Sequence, residues 1–327
     1  MSQALHEVRL DGCTPEPLMS YLKALGILRL VSEQKDPEAR GCWGSDVFWL
    51  RSSLDQGALS RFFLEEYSPT PILAPWAGGS GFFGNDNRDA VKSLKASRQP
   101  RCAPYAAVIR EVQEILRQEK AATKPAGDLK ERLLRRYRNE LSEKMVFWVD
   151  SAMVLKDEGQ EFNPLLGTGG NDGRLDFTQN FMQRVVFLGL HGDKRNENSE
   201  SWISHSLFDE HCSLRDASVG QFAPGRAGGP NATQGMEGDS ADNPWDFVLM
   251  LEGSLMFAGA AVRRWGSVGI GDASFPFTVR PVAAGFNASA SGDETNSRGE
   301  TWLPLWHRAA VCGEIRLMIG EGRAEIL

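Results

Sequence analysis

Residues 5–34 read LHEVRLDGCTPEPLMSYLKALGILRLVSEQ, and the two periods inside this stretch decide the fold class. Residues 5–10 alternate weakly, the pattern of a strand with one covered face. Leu18, Leu22, Leu25 and Leu28 recur instead at the helical spacing and share one side. The Gly12-Cys13-Thr14-Pro15 break separates the two. Further on, residues 47–50 read as a second strand, and 55–67 as a second helix carrying Leu59, Phe62 and Phe63. A strand–helix–strand–helix opening predicts an α/β or α+β domain. The whole chain is assigned to the α+β class: a mixed α/β region over 1–102, a basic helical hairpin over 103–157 and a Gly-loop-rich α/β region over 158–327.

Outward from that opening, a helix is predicted at about 86–97, then a hairpin of 104–120 and 128–155 around Thr-Lys-Pro-Ala-Gly. On its second arm Leu129, Leu133, Tyr137, Leu141 and Trp148 share one face, with Arg132, Arg135 and Arg136 opposite. Residues 176–190 form an amphipathic helix capped by Asp176 or Thr178. Residues 198–244 are polar and Gly-rich and read as a long loop. Asn243-Pro244 is a cap and first-turn proline for a buried helix over 244–265. Asp246 and Glu252 in that apolar run argue against a membrane span. A strand at 275–280 and a helix at 314–320 close the chain.

Composition narrows the function classes. Of 327 residues, 34 are glycine, about a tenth against an average near 7%, and they cluster in loops. The formal charge of −7 argues by itself against a nucleic-acid binder. Its distribution does not: residues 91–148 hold fourteen Lys and Arg against seven Asp and Glu, a basic element on an acidic body. Five scattered cysteines, with no CxxC pair, indicate neither a disulfide framework nor a zinc ribbon. The opening MSQALHEVRL lacks a charged-then-apolar leader, so a cytoplasmic protein is expected.

The enzyme motifs fail on their details. Gly79-Ser80-Gly81-Phe82-Phe83-Gly84 matches GxGxxG, but a Pro-rich segment precedes it and no ribose carboxylate lies near residue 104. No Lys-Ser/Thr follows the glycines as a phosphate loop needs, and Phe82 spoils a GxSxG elbow. His205, His211 and Cys212 lack a fourth ligand. No cofactor, no metal and no catalytic residue is expected.

Binding fares better. Glycines let backbone N–H groups approach anionic oxygens, and a following helix N-terminus adds partial positive charge. The loop at 78–88 offers Gly78, Gly79, Ser80, Asn85, Asn87 and Arg88, with Lys92, Lys95 and Arg98 beyond it. A second loop offers Gly169, Gly170, Asn171 and Arg174, and a third Arg226, Asn231 and Gln234. Arg132, Arg135 and Arg136 are expected to lie along phosphates, and the Asn and Gln tips to meet base edges. Tight turns and a solvated helix face are the bland alternatives.

The stretches GCTPEPLMSYLKALGILRLVSEQ, PTPILAPWAGGSGF, NPLLGTGGNDGRLDFTQNFMQR, NPWDFVLMLEGSLMFAGA, ASFPFTVR and LPLWHR, in this order, resemble one family. It is the large subunit of the type I-G (formerly I-U) CRISPR Cascade effector complex. The family is longer, so the resemblance covers its N-terminal portion, and Ala77 stands where the PWxGGSGF motif leads one to expect Asn. The resemblance implies a non-catalytic subunit that contacts the crRNA 5′ end and the protospacer-adjacent motif of double-stranded target DNA, starting R-loop formation. Its implied partners are the backbone and crRNA-processing subunits and a helicase-nuclease, with no membrane. The alternatives are a nucleotide- or metal-dependent enzyme using the Gly-rich loops, and a purely structural subunit.

Overall fold

A computed structural model of the chain describes residues 4–167, 171–172, 175–218, 222–223, 239–262, 271–279 and 300–322. The opening strand β1 (His6–Leu10) leads into α1 (Leu18–Gln34), followed by β2 (Arg40–Trp43) and β3 (Phe48–Ser52). The helices α2 (Gln56–Arg61), α3 (Asp89–Ala96), α4 (Ala103–Gln118), α5 (Gly127–Glu140) and α6 (Glu143–Ala152) come next. Two short ladders follow, β4 (Met153–Leu155) with β5 (Gln160–Phe162) and β6 (Asn171–Asp172) with β7 (Leu175–Asp176), then α7 (Phe177–Phe187) and α8 (Ser199–Phe208). Strands β8 (Arg215–Ser218) and β9 (Asp239–Asp242) pair and introduce α9 (Pro244–Ser254). Then come β10 (Ala260–Val262) with β11 (Asp272–Ser274), and β12 (Thr278–Val279) with β13 (Glu300–Thr301). The last strand, β14 (Ala310–Val311), precedes α10 (Cys312–Glu321).

The fold is α+β. The main sheet has the order β1-β3-β2-β14 and is antiparallel throughout. The parallel arrangement that a strand–helix–strand opening permits does not form, because the unforeseen β2 turns straight into β3. Gly44 N donates to Val47 O at 2.8 Å in that turn, and so tight a connection joins only antiparallel strands.

Helix α1 is buried from Met19 to Val31, on all its sides. Against the sheet, Tyr21 stacks on Trp43 with ring centroids 5.1 Å apart. Against α9 the two backbones meet at glycines. A Cβ on Gly26 would lie 2.9 Å from Gly253 N, and one on Gly253 would lie 2.8 Å from Gly26 N, with carbonyl oxygens of Leu249 and Leu22 nearer still. α9 is itself buried end to end, capped as expected by the Asn243 side chain accepting from Trp245 N at 3.0 Å.

Three acids around α9 enter the core with cations opposite. Lys23 Nζ donates to Asp246 at 2.6 Å, Arg184 to Asp242 at 3.0 Å, and Arg29 to Glu252. Glu252 also accepts from Tyr67 OH at 2.5 Å and Thr70 N at 2.9 Å. Buried charge is tolerated only when paired and hydrogen-bonded in this way.

One hydrophobic cluster runs from Val8 to Ile319, and the three expected segments 1–102, 103–157 and 158–327 all contribute to it. Several expected bounds are corrected. The helix expected over 128–155 breaks at Leu141, whose φ −80 and ψ 162 are extended, so α5 and α6 are separate. The loop expected over 198–244 contains α8, β8 and β9. The helix expected over 244–265 ends in a 3-10 turn at Leu255–Phe257 and gives way to β10. The strand expected over 275–280 is only β12, since a turn carries Phe277 at φ +50.

Candidate nucleic-acid interface

The loop before α3 is wrapped around a carboxylate of its own chain. Asp86 accepts from Gly79 N at 2.9 Å, Gly81 N at 2.9 Å and Phe83 N at 3.2 Å, with the Ser80 hydroxyl at 3.4 Å. This is the anion-binding concavity that the glycines suggested, and its anion is Asp86. Gly81 sits at φ +88 with Val91, Gln179 and Asn87 crowding its missing side chain, so glycine is required there. Ser80 is buried, so the Gly79-Ser80 segment offers its donors inward. What the loop presents outward is its tip: Gly84, Asn85, Asn87 and Arg88 are exposed. Asn87 Oδ1 accepts from Asp89 N at 3.0 Å, and Arg88 Nε donates to Phe83 O at 2.9 Å.

The arginines of α5 are engaged within the protein. Arg136 is held by Glu140 at 2.7 Å and Glu119 at 3.1 Å, and Arg132 reaches Glu119 at 3.5 Å. Arg135 joins Glu131 at 2.9 Å and also donates to the carbonyls of Lys156 and Asp157. Arg135, with Gly159 N, holds the Glu131 carboxyl below the usual carboxylate range. The expected phosphate-tracking face of α5 is thus a lattice of ion pairs that ties α5 to α4 and to the β4–β5 turn.

Several cations have no acidic partner among the described residues, and two of them meet where α3 packs on α4. Lys95 Nζ donates to Gln113 Oε1 at 2.6 Å, and Arg110 donates to Lys95 O at 3.3 Å, so these two side chains sit together across the α3–α4 contact. Arg98 is exposed just past the end of α3. Lys92 is 72% exposed, its nearest acid Asp89 at 3.9 Å. Near the loop, the Lys124 chain lies against Gly78. Burial lowers the pKa of Lys130, and the charge of Lys124 adds to that effect. Arg110 escaped the sequence-based expectation because the helical-face argument was applied to α5, where charge is densest.

Of the second loop, Asn171 is placed in β6 as backbone, while Gly169, Gly170 and Arg174 lie outside the described residues, as do Arg226, Asn231 and Gln234 of the third. Asp176, which closes the second loop, caps α7: its Oδ1 accepts from Gln179 N at 2.7 Å and the Thr178 hydroxyl at 2.6 Å. Asp176 packs against Gly79, and Gln179 Nε2 donates to Asn87 O at 2.7 Å, so the first and second loops adjoin. Among the described residues no group of three His, Cys, Asp or Glu is gathered to hold a metal. No described helix is long and apolar enough to cross a membrane. His205 bonds to Glu210 O and His307 to Trp43 O, so both histidines are engaged with backbone.

No protein-family model matches the chain, and no curated protein matches it.

Proposed function

We propose that this chain is a non-catalytic large subunit of a type I-G CRISPR surveillance complex that holds nucleic acid through the α3–α4 edge and the 84–88 tip. The observation that carries the reading is the placement of charge. In a chain of net charge −7, Lys95 and Arg110 meet across the α3–α4 contact and exposed Arg98 follows α3, none with an acidic partner among the described residues, while the exposed tip bearing Asn85, Asn87 and Arg88 leads into the same helix. The arginines of α5 are spent on carboxylates of the chain, whereas the charges of Lys95, Arg98 and Arg110 remain available to neutralise phosphates. The tip amides have the chemistry to meet base edges once the edge has positioned the duplex. The family resemblance supplies the identity of the ligands: crRNA and the motif-bearing end of the target duplex, with the other Cascade subunits and the helicase-nuclease as neighbours.

The test compares two triple variants in duplex-binding titrations over a range of salt. Lys95→Ala/Arg98→Ala/Arg110→Ala is expected to weaken binding equally on all duplexes and to flatten the log–log salt slope by roughly 2–3 units. Arg132→Ala/Arg135→Ala/Arg136→Ala is expected to leave the slope intact and lower stability instead. A slope unchanged in the first variant removes the α3–α4 edge from the interface.

A further inference from the structure

The main sheet ends in an open edge at β1, which pairs with β3 on one side and with no described strand on the other. Phe48 N donates toward β1, to Cys13 O at 2.9 Å, while Trp43 N opposite it in β2 turns away to Trp306 O at 2.8 Å. Phe48 therefore directs its main-chain groups to the β1 side, and alternation along the ladder turns His6, Val8 and Leu10 toward β3. The N–H and C=O groups of Glu7 and Arg9 point the other way and have no partner among the described residues. A cavity of about 280 Å3 lies along this edge, lined by the consecutive residues His6, Glu7, Val8 and Arg9. Consecutive residues line one space where a strand is open along its side, since their side chains alternate between the two faces. Glu7 and Arg9 carry their side chains on the exposed face, and Val8 and Leu10 theirs in the core.

We propose that β1 is a contact between two copies of this chain, which pair antiparallel, edge to edge, about a two-fold axis at Val8. Glu7 of each copy then exchanges both of its main-chain hydrogen bonds with Arg9 of the other. Charge selects this register. Directly opposed side chains lie on the same face within reach, so each Glu7 meets an arginine. Sliding the strands by two residues sets Glu7 against Glu7 in one direction and Arg9 against Arg9 in the other, and sliding by one turns the free main-chain groups out of line. Glu7 already bonds to Arg51 at 3.0 Å within its own sheet, so in the dimer it stands between two arginines. Arg9, held by Asp11 at 2.9 Å, gains a second carboxylate in the same way. The strand that complements this edge, with an acid and a base two residues apart, is β1 itself. Pairing also consumes the edge that makes it, which closes the assembly at a dimer. The inference does not rest on nucleic-acid binding, because the junction needs no ligand.

The experiment is sedimentation velocity of the purified chain over a wide range of concentration. Wild type is expected to pass from monomer to dimer, weakly, as suits so small a contact. Glu7→Arg and Arg9→Glu each set like charges against one another at both pairs and are expected to weaken the dimer about tenfold or more. Mixed in equal amounts, the two variants restore opposite charges and are expected to associate as wild type does, and so is Glu7→Arg/Arg9→Glu alone. That rescue separates lost pairing from lost folding. A second readout is amide exchange, which should slow at Glu7 and Arg9 as the dimer forms. A wild type that stays monomeric throughout overturns the proposal and leaves the β1 edge to a different protein. A dimer indifferent to both single variants, a mixture that fails to associate, or unprotected Glu7 and Arg9 amides in the dimer overturns it equally.

Discussion

Replacing Gly26 or Gly253 by Ala tests the joint on which the fold depends. A new Cβ at either position meets backbone of the facing helix at under 3 Å, and neither backbone can rotate away as a side chain would. Ordinary contact requires α1 and α9 to part by about 1–1.5 Å, which forfeits a quarter or more of the dispersion energy of every pair across that face. The same separation stretches the Lys23–Asp246 and Arg29–Glu252 pairs, which are sound only while short and dry. Against this, Ala is worth about 1 kcal/mol more than Gly in a helix. The net expectation is a loss of about 3 kcal/mol for each variant. Both substitutions are relieved by one movement, so the double variant should cost less than the sum. Urea titration reads this as a lower midpoint at unchanged slope. Gly57 is the control: its Cβ would lie 3.5 Å from the nearest atom, in open contact on exposed α2, and Gly57→Ala should be neutral or stabilising. If Gly26→Ala and Gly253→Ala fall within about 0.5 kcal/mol of wild type, the tight crossing is not a determinant of stability.

Two further outcomes are expected. Asp86→Ala leaves the Gly79, Gly81 and Phe83 N–H groups without their acceptor and should cost about 1–3 kcal/mol; inorganic phosphate should then stabilise the variant more than wild type, by occupying the vacated concavity, and equal stabilisation of the two counts against a preformed nest. Burial raises the Asp176 carboxyl from 3.8 to about 6, against the hydrogen bonds from Thr178 and Gln179, with the charge of Asp86 adding to the rise. Folding therefore favours its protonated form, so wild type should gain on Asp176→Asn as pH falls from about 6 to about 4, by up to about 3 kcal/mol, and show its full deficit above about pH 6. Parallel pH profiles for the two proteins would place the titration elsewhere.

Local chemistry was legible in the sequence and distant pairing was not. Asp176 and Asn243 announce their helices because a cap is a contact between near neighbours, and both act as expected. α8 is hidden because Trp202, Ile203, Ser206 and Leu207 are buried amid serines, so no clean apolar stripe marks it. β2 and β14 are four and two residues long, too short to show a period, and owe their strand geometry to partners elsewhere in the chain. The glycine loop was recognised as an anion cradle, yet Asp86 was read only as the start of the next helix and not as the anion the cradle holds. Counting cations likewise singled out α5, where Glu119, Glu131 and Glu140 answer each arginine. Net charge along a helix does not reveal which charges are already spoken for.

The embrace of α1 by α9 also sets a timetable for synthesis. Lys23 and Asp246 are separated by 223 positions, so at typical elongation rates the ribosome emits α1 about 10–45 s before the helix that covers it. Through that interval Lys23, Gly26 and Arg29 lack the α9 residues that they meet in the fold, and the sheet still lacks β14. Contacts this distant along the chain also make for slow closure once synthesis has passed them. The apolar surface of α1 thus stays uncovered until α9 has been made, the circumstance in which nascent chains are prone to aggregate.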